Sequence, residues 1–180
     1  MKFLVGAERP RLGKAVLLTA MFVAVVALPA GATTPASFTL TAGALAISAP
    51  TGSISLGTQV VSNGSISLGG PLGVVTVSDQ RGGATTWTAS VISTAFTPIP
   101  AATAVAAVNL SYTAGAITAS SAVVGTAVAV TTTNLTGVTP VVTGVSTGIS
   151  TASWDPTITV LVPANFAPGV YSATITHSVA

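Results

Sequence analysis

From Phe38 onward, apolar and polar residues alternate with a period of two over short stretches. Near the end of the chain Tyr171, Ala173, Ile175, His177 and Val179 fall on one side of such a stretch, and Ser172, Thr174, Thr176 and Ser178 on the other. Trp87, Ala89 and Val91 alternate with Thr86, Thr88 and Ser90 in the same way, and Trp154, Ile158, Val160 and Val162 line up likewise. Successive side chains of a strand point to opposite faces, so this pattern predicts strands with one face buried. Strands are expected around Phe38, Leu40, Leu45 and Ile47, and over 72–78, 85–92, 110–112, 116–118, 125–132, 157–162 and 171–179. Turn residues fill the gaps: Asp79-Gln80-Arg81-Gly82-Gly83, a Pro/Ala loop over 98–107, and Pro163 to Gly169. The Thr- and Gly-rich stretch 134–148 reads as loop with one strand near Val141-Val142. Lys, Glu and Gln are too scarce, and Thr, Gly and Pro too frequent, for an amphipathic helix of useful length. Many short strands at roughly ten-residue spacing predict one all-β domain, a β-sandwich of immunoglobulin-like or Greek-key type.

One repeat interrupts the pattern. Gly52-Ser53-Ile54-Ser55-Leu56-Gly57 recurs as Gly64-Ser65-Ile66-Ser67-Leu68-Gly69. Two copies are too few for a solenoid, which needs at least about three. The expectation is two similar strands joined through Val60, Val61 and a Ser62-Asn63-Gly64 turn.

The first 32 residues follow a different rule. Lys2, Arg9, Arg11 and Lys14 form a basic start, 15–28 is an apolar stretch, Pro29 breaks it, and Ala30-Gly31-Ala32 offers small residues for cleavage. This is the three-part pattern of a secretory signal peptide. The apolar stretch falls short of the roughly 20 residues that span a bilayer. Residues 33–180 are therefore expected to be the mature domain, secreted, with no stable membrane insertion. The sequence has no Cys, so neither a lipid-anchored cysteine nor a disulfide framework is available.

Cleavage changes the electrostatic picture. The whole chain carries a formal +2, but four of its five basic residues lie in the signal. Past Ala32 only Arg81 faces Asp79 and Asp155, which leaves −1. With no basic patch, nucleic acid is excluded as a partner.

The same inventory argues against an enzyme. Paired-carboxylate hydrolysis would need Asp79 and Asp155 together, and nothing in their spacing brings them together. A Ser–His–Asp triad would have to run through His177, which shares the apolar face of its strand with Ile175. One His and two separated Asp make no metal site, and no phosphate-binding glycine loop is present, so no cofactor is implied. Aromatics are few enough to be needed inside. The expected core is Trp87, Val91, Phe96, Trp154, Ile158, Val160, Tyr171 and Ile175.

Val75-Thr76-Val77-Ser78-Asp79-Gln80-Arg81-Gly82, then Trp87-Thr88-Ala89-Ser90-Val91, Phe96, and finally Tyr171-Ser172-Ala173-Thr174-Ile175-Thr176 together resemble a WxL domain. Such domains carry Asp-x-Arg before a first Trp-x-Leu motif, and close on Tyr-x-x-x-aliphatic-Thr-Trp-x-Leu. Here Ala89 stands for the first Leu, and His177-Ser178-Val179 for the second Trp-x-Leu, so the likeness is to a divergent member. The resemblance implies a surface protein of Gram-positive bacteria that associates non-covalently with the cell wall, with peptidoglycan as ligand and other surface proteins as possible partners. It draws attention to Asp79, Arg81, Trp87 and His177 as candidate ligand-binding residues. The alternative expectation is a structural, self-assembling subunit of a surface layer or filament, because low net charge and open strand edges favour association.

Overall fold

The computed structural model describes residues 32–120, 123–127 and 131–180. The expected signal segment lies outside them, apart from Ala32. The compact body runs from Leu40 to Ala180.

Its described residues form an all-β sandwich of antiparallel sheets, in agreement with the alternation of the sequence. The strands in chain order are β1 (Leu45–Ser48), β2 (Ile66–Pro71), β3 (Val75–Asp79), β4 (Thr85–Ser93), β5 (Thr97–Ile99), β6 (Leu110–Thr113) and β7 (Ile117–Ala119). They continue as β8 (Val123–Ala127), β9 (Thr132–Thr133), β10 (Thr139–Ser146), β11 (Ser150–Trp154), β12 (Thr157–Val162), β13 (Val170–Ser172) and β14 (Ile175–Val179). The one helical piece among the described residues is a 3-10 turn at Ala107–Asn109.

One layer is the sheet β14-β4-β10-β8. The other is built from two half-sheets, β1-β3-β11-β7 and β2-β12-β6-β9, with β13-β5 as a small separate ribbon. The half-sheets share three chain segments, since β2 runs on to β3, β6 to β7 and β11 to β12. The break between them passes through Asp155-Pro156, where Pro156 has no N–H to offer the ladder. The Leu72 N–H donates to the Pro156 carbonyl at 2.8 Å and ties the break together. Gly115 sits at the same break with φ of 77°, and a Cβ there would meet the Asp155 carbonyl oxygen at 2.9 Å. Only glycine relieves both constraints.

The inward faces of all three large sheets meet in one core. Val75, Val77, Ala152 and Trp154 come from one half-sheet, Leu110, Tyr112, Ile158 and Val160 from the other, and Trp87, Ala89, Val91, Val141 and Val142 from the opposite layer. Of the residues expected in the core, Trp87, Val91, Trp154, Ile158 and Val160 are buried. Phe96, Tyr171 and Ile175 are half-buried and pack against the core from its margin.

Several strand expectations need correction. Phe38 and Leu40 lie in no strand and are 86% and 87% exposed. The first copy of the hexapeptide repeat forms no strand, while β2 begins inside the second. Leu72 belongs to the break rather than to a strand, and the strand begins at Val75. The stretch 134–148 is not mainly loop, because it holds the eight-residue β10, paired on both sides. The last expected strand is two, β13 and β14, parted at Ala173-Thr174. The expected strand 125–132 appears as β8, beginning at Val123, and 128–130 lie outside the described residues.

Candidate functional site

The two motifs that carry the resemblance are about ninety residues apart in sequence and side by side in the sheet. In the β4–β14 ladder Ala89 faces Val179 and Val91 faces His177. The main chain closes the pairing beyond β14, with Thr88 N–H donating to Ala180 O at 2.8 Å. Trp87, Ala89, Val91, Ile175, His177 and Val179 all face inward, as period two requires.

Trp87 is 2% exposed, so it offers no platform to a ligand. Its indole lies across Gly144, its cross-strand partner on β10. Its Nε1–H is buried without a hydrogen-bond partner.

Asp79 is also withdrawn from solvent, at 1% exposure. It ends β3, and its carboxylate takes a bidentate pair of bonds from Arg81, Nε to Oδ1 and Nη2 to Oδ2, both 2.9 Å. The Arg81 backbone N–H donates to Oδ1 at 3.1 Å, which closes an Asx-type turn, and the Thr85 hydroxyl donates to Oδ2 at 2.8 Å. These donors explain why the carboxyl is held well below the usual carboxylate range. The Arg81 guanidinium acts first, and it outweighs the opposing effect of burial. Arg81 spends its remaining reach on the Thr86 carbonyl at 2.9 Å. Its side chain is 30% exposed, but its charge is already matched. Asp79 and Arg81 therefore lock the β3–β4 turn.

Gly144-Val145-Ser146-Thr147-Gly148 carries the Gly-x-Ser-x-Gly spacing of a nucleophile elbow, which requires a sharp strand-to-helix turn. Here Ser146 is the last residue of strand β10, fully buried, with its hydroxyl 2.9 Å from that of Ser150. Among the described residues no cluster of three metal-ligating side chains occurs, and no helix is long and apolar enough to cross a membrane.

His177 is the one candidate that lines a cavity. Its Nε2 lies 3.1 Å from the Tyr112 hydroxyl, which in turn accepts from Trp154 Nε1–H at 2.9 Å. Indole N–H can only donate, so the phenol oxygen is the acceptor there. The phenol proton then has His177 Nε2 as its acceptor, because otherwise it would be orphaned in the core. His177 is thereby neutral and carries its proton on Nδ1. Burial lowers the imidazole from its ordinary value and pushes the Tyr112 phenol up to about 12. The chain of donors crosses the whole sandwich, from β11 through β6 to β14.

His177 also lines a pocket of about 230 Å³ between residues 49–56 and the ends of β13 and β14. A larger cleft of about 890 Å³ adjoins it and shares Ser53, Ile54, Leu56, Phe96, Tyr171 and Ser172 with it. The outer wall of this cleft is the segment 53–62, which forms no strand. On the far side Phe166 and Tyr171 stand with ring centroids 6.3 Å apart, and the Tyr171 hydroxyl donates to Ala167 O at 2.9 Å. No charged side chain lines either space.

Family models, curated proteins and solved structures give no match to this chain. The site thus rests on its own geometry. Of the four candidate residues, Asp79 and Arg81 form one locked turn, Trp87 is a core residue, and His177 alone opens on a cavity. The cleft itself is missed by sequence reasoning. Its wall is the first hexapeptide copy and the residues after it, whose pattern is that of a strand.

Proposed function

We propose that the chain is a secreted bacterial surface protein whose β-sandwich associates non-covalently with the cell wall, with peptidoglycan as its ligand. The observation that carries this reading is the uncharged cleft of about 890 Å³, with Phe96, Phe166 and Tyr171 on its walls and serine hydroxyls along it. Peptidoglycan presents N-acetylated sugars that combine flat apolar faces with hydroxyls and amides. Aromatic faces and neutral donors suit such a ligand, whereas a phosphate-rich polymer calls for free cations. The one cation past residue 32 is already bound to Asp79. Extracellular placement, by way of the signal expected in residues 1–32, gives the ligand access.

Sedimentation tests this. Residues 33–180 retain every buried residue of the core, and the protein is expected to pellet with insoluble peptidoglycan and to remain in solution alone. Absence from the peptidoglycan pellet contradicts the proposal.

A second reading, a self-assembling surface subunit, is favoured by one observation. Ser37-Phe38-Thr39-Leu40-Thr41 alternates apolar and polar residues outside any strand, with both apolar side chains exposed. Such a segment can add to an open strand edge of another copy. Pelleting without peptidoglycan would support it.

A further inference from the structure

We infer that the small pocket beside His177 receives an acetamido group of an N-acetylated amino sugar, an inference that rests on the wall-binding reading and names the part of the ligand the protein recognises.

The argument starts from the hydrogen-bond chain. Trp154 donates to Tyr112, and Tyr112 has its proton left for His177 Nε2. The imidazole is held as a neutral ring whose one remaining polar hydrogen is on Nδ1. A neutral, fixed donor selects an uncharged acceptor such as an amide carbonyl. A carboxylate or phosphate would have to shed its hydration here with no cation to offset the cost, because neither Arg81 nor any other charged side chain lines the pocket. The pocket's size and walls supply the second half. About 230 Å³ has room for one sugar residue with its acetamido substituent, not for a whole chain. Pro50, Leu72 and Ile175 give it apolar walls, and Ser53 and Ser172 add hydroxyls. An acetamido group offers a methyl for the walls and a carbonyl for the imidazole, so one substituent satisfies both. The larger cleft continues from the pocket past Phe96 and Tyr171, where the rest of a sugar chain can lie against aromatic faces.

Ser53 provides a block that leaves the core alone. It is exposed, on the strandless segment that walls the pocket. Ser53→Phe should fill the pocket while removing no donor or acceptor from the Trp154–Tyr112–His177 chain. His177→Gln is the conservative partner, because its amide can accept from Tyr112 and still donate outward.

The test is a calorimetric or NMR titration of residues 33–180 with a tetramer of N-acetylglucosamine, and with a glucose tetramer as the neutral control without acetamido groups. The acetylated tetramer is expected to bind at least about tenfold more tightly, the scale of one neutral hydrogen bond with some apolar burial. Ser53→Phe should weaken that binding about tenfold at unchanged Tm, and His177→Gln should retain most of it. Binding of the acetylated tetramer by a protein that fails to pellet with peptidoglycan would support the pocket while removing the wall reading. Equal affinity for the two tetramers, or undiminished binding by Ser53→Phe, overturns the inference. So does a protein that pellets with peptidoglycan but ignores the acetylated tetramer, although that result leaves wall binding intact.

Discussion

Trp87 packs against Gly144, its cross-strand neighbour, so closely that a Cβ at position 144 would clash with the indole at Cε2 and Cζ2. The pairing explains a glycine in the middle of β10, where it otherwise weakens a strand. Gly144→Ala is expected to cost about 1–3 kcal/mol, the usual penalty for overpacking a filled core. Thermal or urea unfolding reads it directly, and an unchanged midpoint would show that the indole has room to move.

Trp87→Ala should cost about 3–5 kcal/mol through the cavity it leaves. That is a large part of a domain's typical 5–15 kcal/mol. Peptidoglycan binding is then lost together with folding. A variant that unfolds like the wild type and fails only in sedimentation would make Trp87 a contact residue instead.

The same pair shows where sequence reading stops. β4, β12 and β14 were legible because each keeps strict period two. β10 was legible only near Val141-Val142 and not over its full length, for two physical reasons. Gly144 is there to admit Trp87, which makes the segment look like a loop. A register shift between Pro140 and Val142 also puts Val141 and Val142 both inside, which breaks the alternation. The hexapeptide repeat misleads in the opposite direction. Its second copy pairs with β12, where Gly69 lets the strands approach, since a Cβ there would meet Ile158 O at 2.7 Å. The first copy has no such partner, and its Gly57 takes φ of 98°. Local sequence is the same in both, and tertiary pairing decides between them. The candidate site divides similarly. The Asp79–Arg81 lock is short-range, and the one cation past residue 32 points to an aspartate partner, either Asp79 or Asp155, which the fold resolves as Asp79. The cleft, by contrast, depends on a wall that only the folded chain assembles.

Acid should unfold the protein partly through Asp79. Its folded carboxyl is held below the ordinary value, so the unfolded chain takes up the proton first as pH falls. The stabilisation is fully present above about pH 4, the unfolded value, and is lost as pH drops towards the folded one. Asp79→Asn is expected to cost about 1–3 kcal/mol near neutrality, less than breaking a fully buried pair, because the Arg81 charge left behind can reach solvent. It should also flatten the acid limb. Urea unfolding across that range checks both, and an acid limb as steep in the variant as in the wild type would contradict the assignment.

Burial lowers the His177 imidazole as well, with the same sign. The unfolded chain binds its proton near pH 6.5, about the free value, before the folded chain does. The fold therefore loses stability as pH falls below that point. NMR should find the folded ring neutral, protonated on Nδ1, and titrating below about 6.5. Tyr112→Phe, which strands Trp154 Nε1–H and His177 Nε2, should cost about 1–3 kcal/mol. A ring that titrates at or above the free value would remove the donor chain.

The central claim, wall recognition without charge, is tested most directly by the salt dependence of binding. Residues 33–180 are titrated onto purified peptidoglycan in buffers from about 0.05 M to about 0.5 M salt, a range that screens exposed charges strongly. Saturable binding whose affinity barely changes across that range is the predicted result, because the one cation is consumed within the fold. No binding at any salt concentration, or binding that collapses as salt rises, would contradict it.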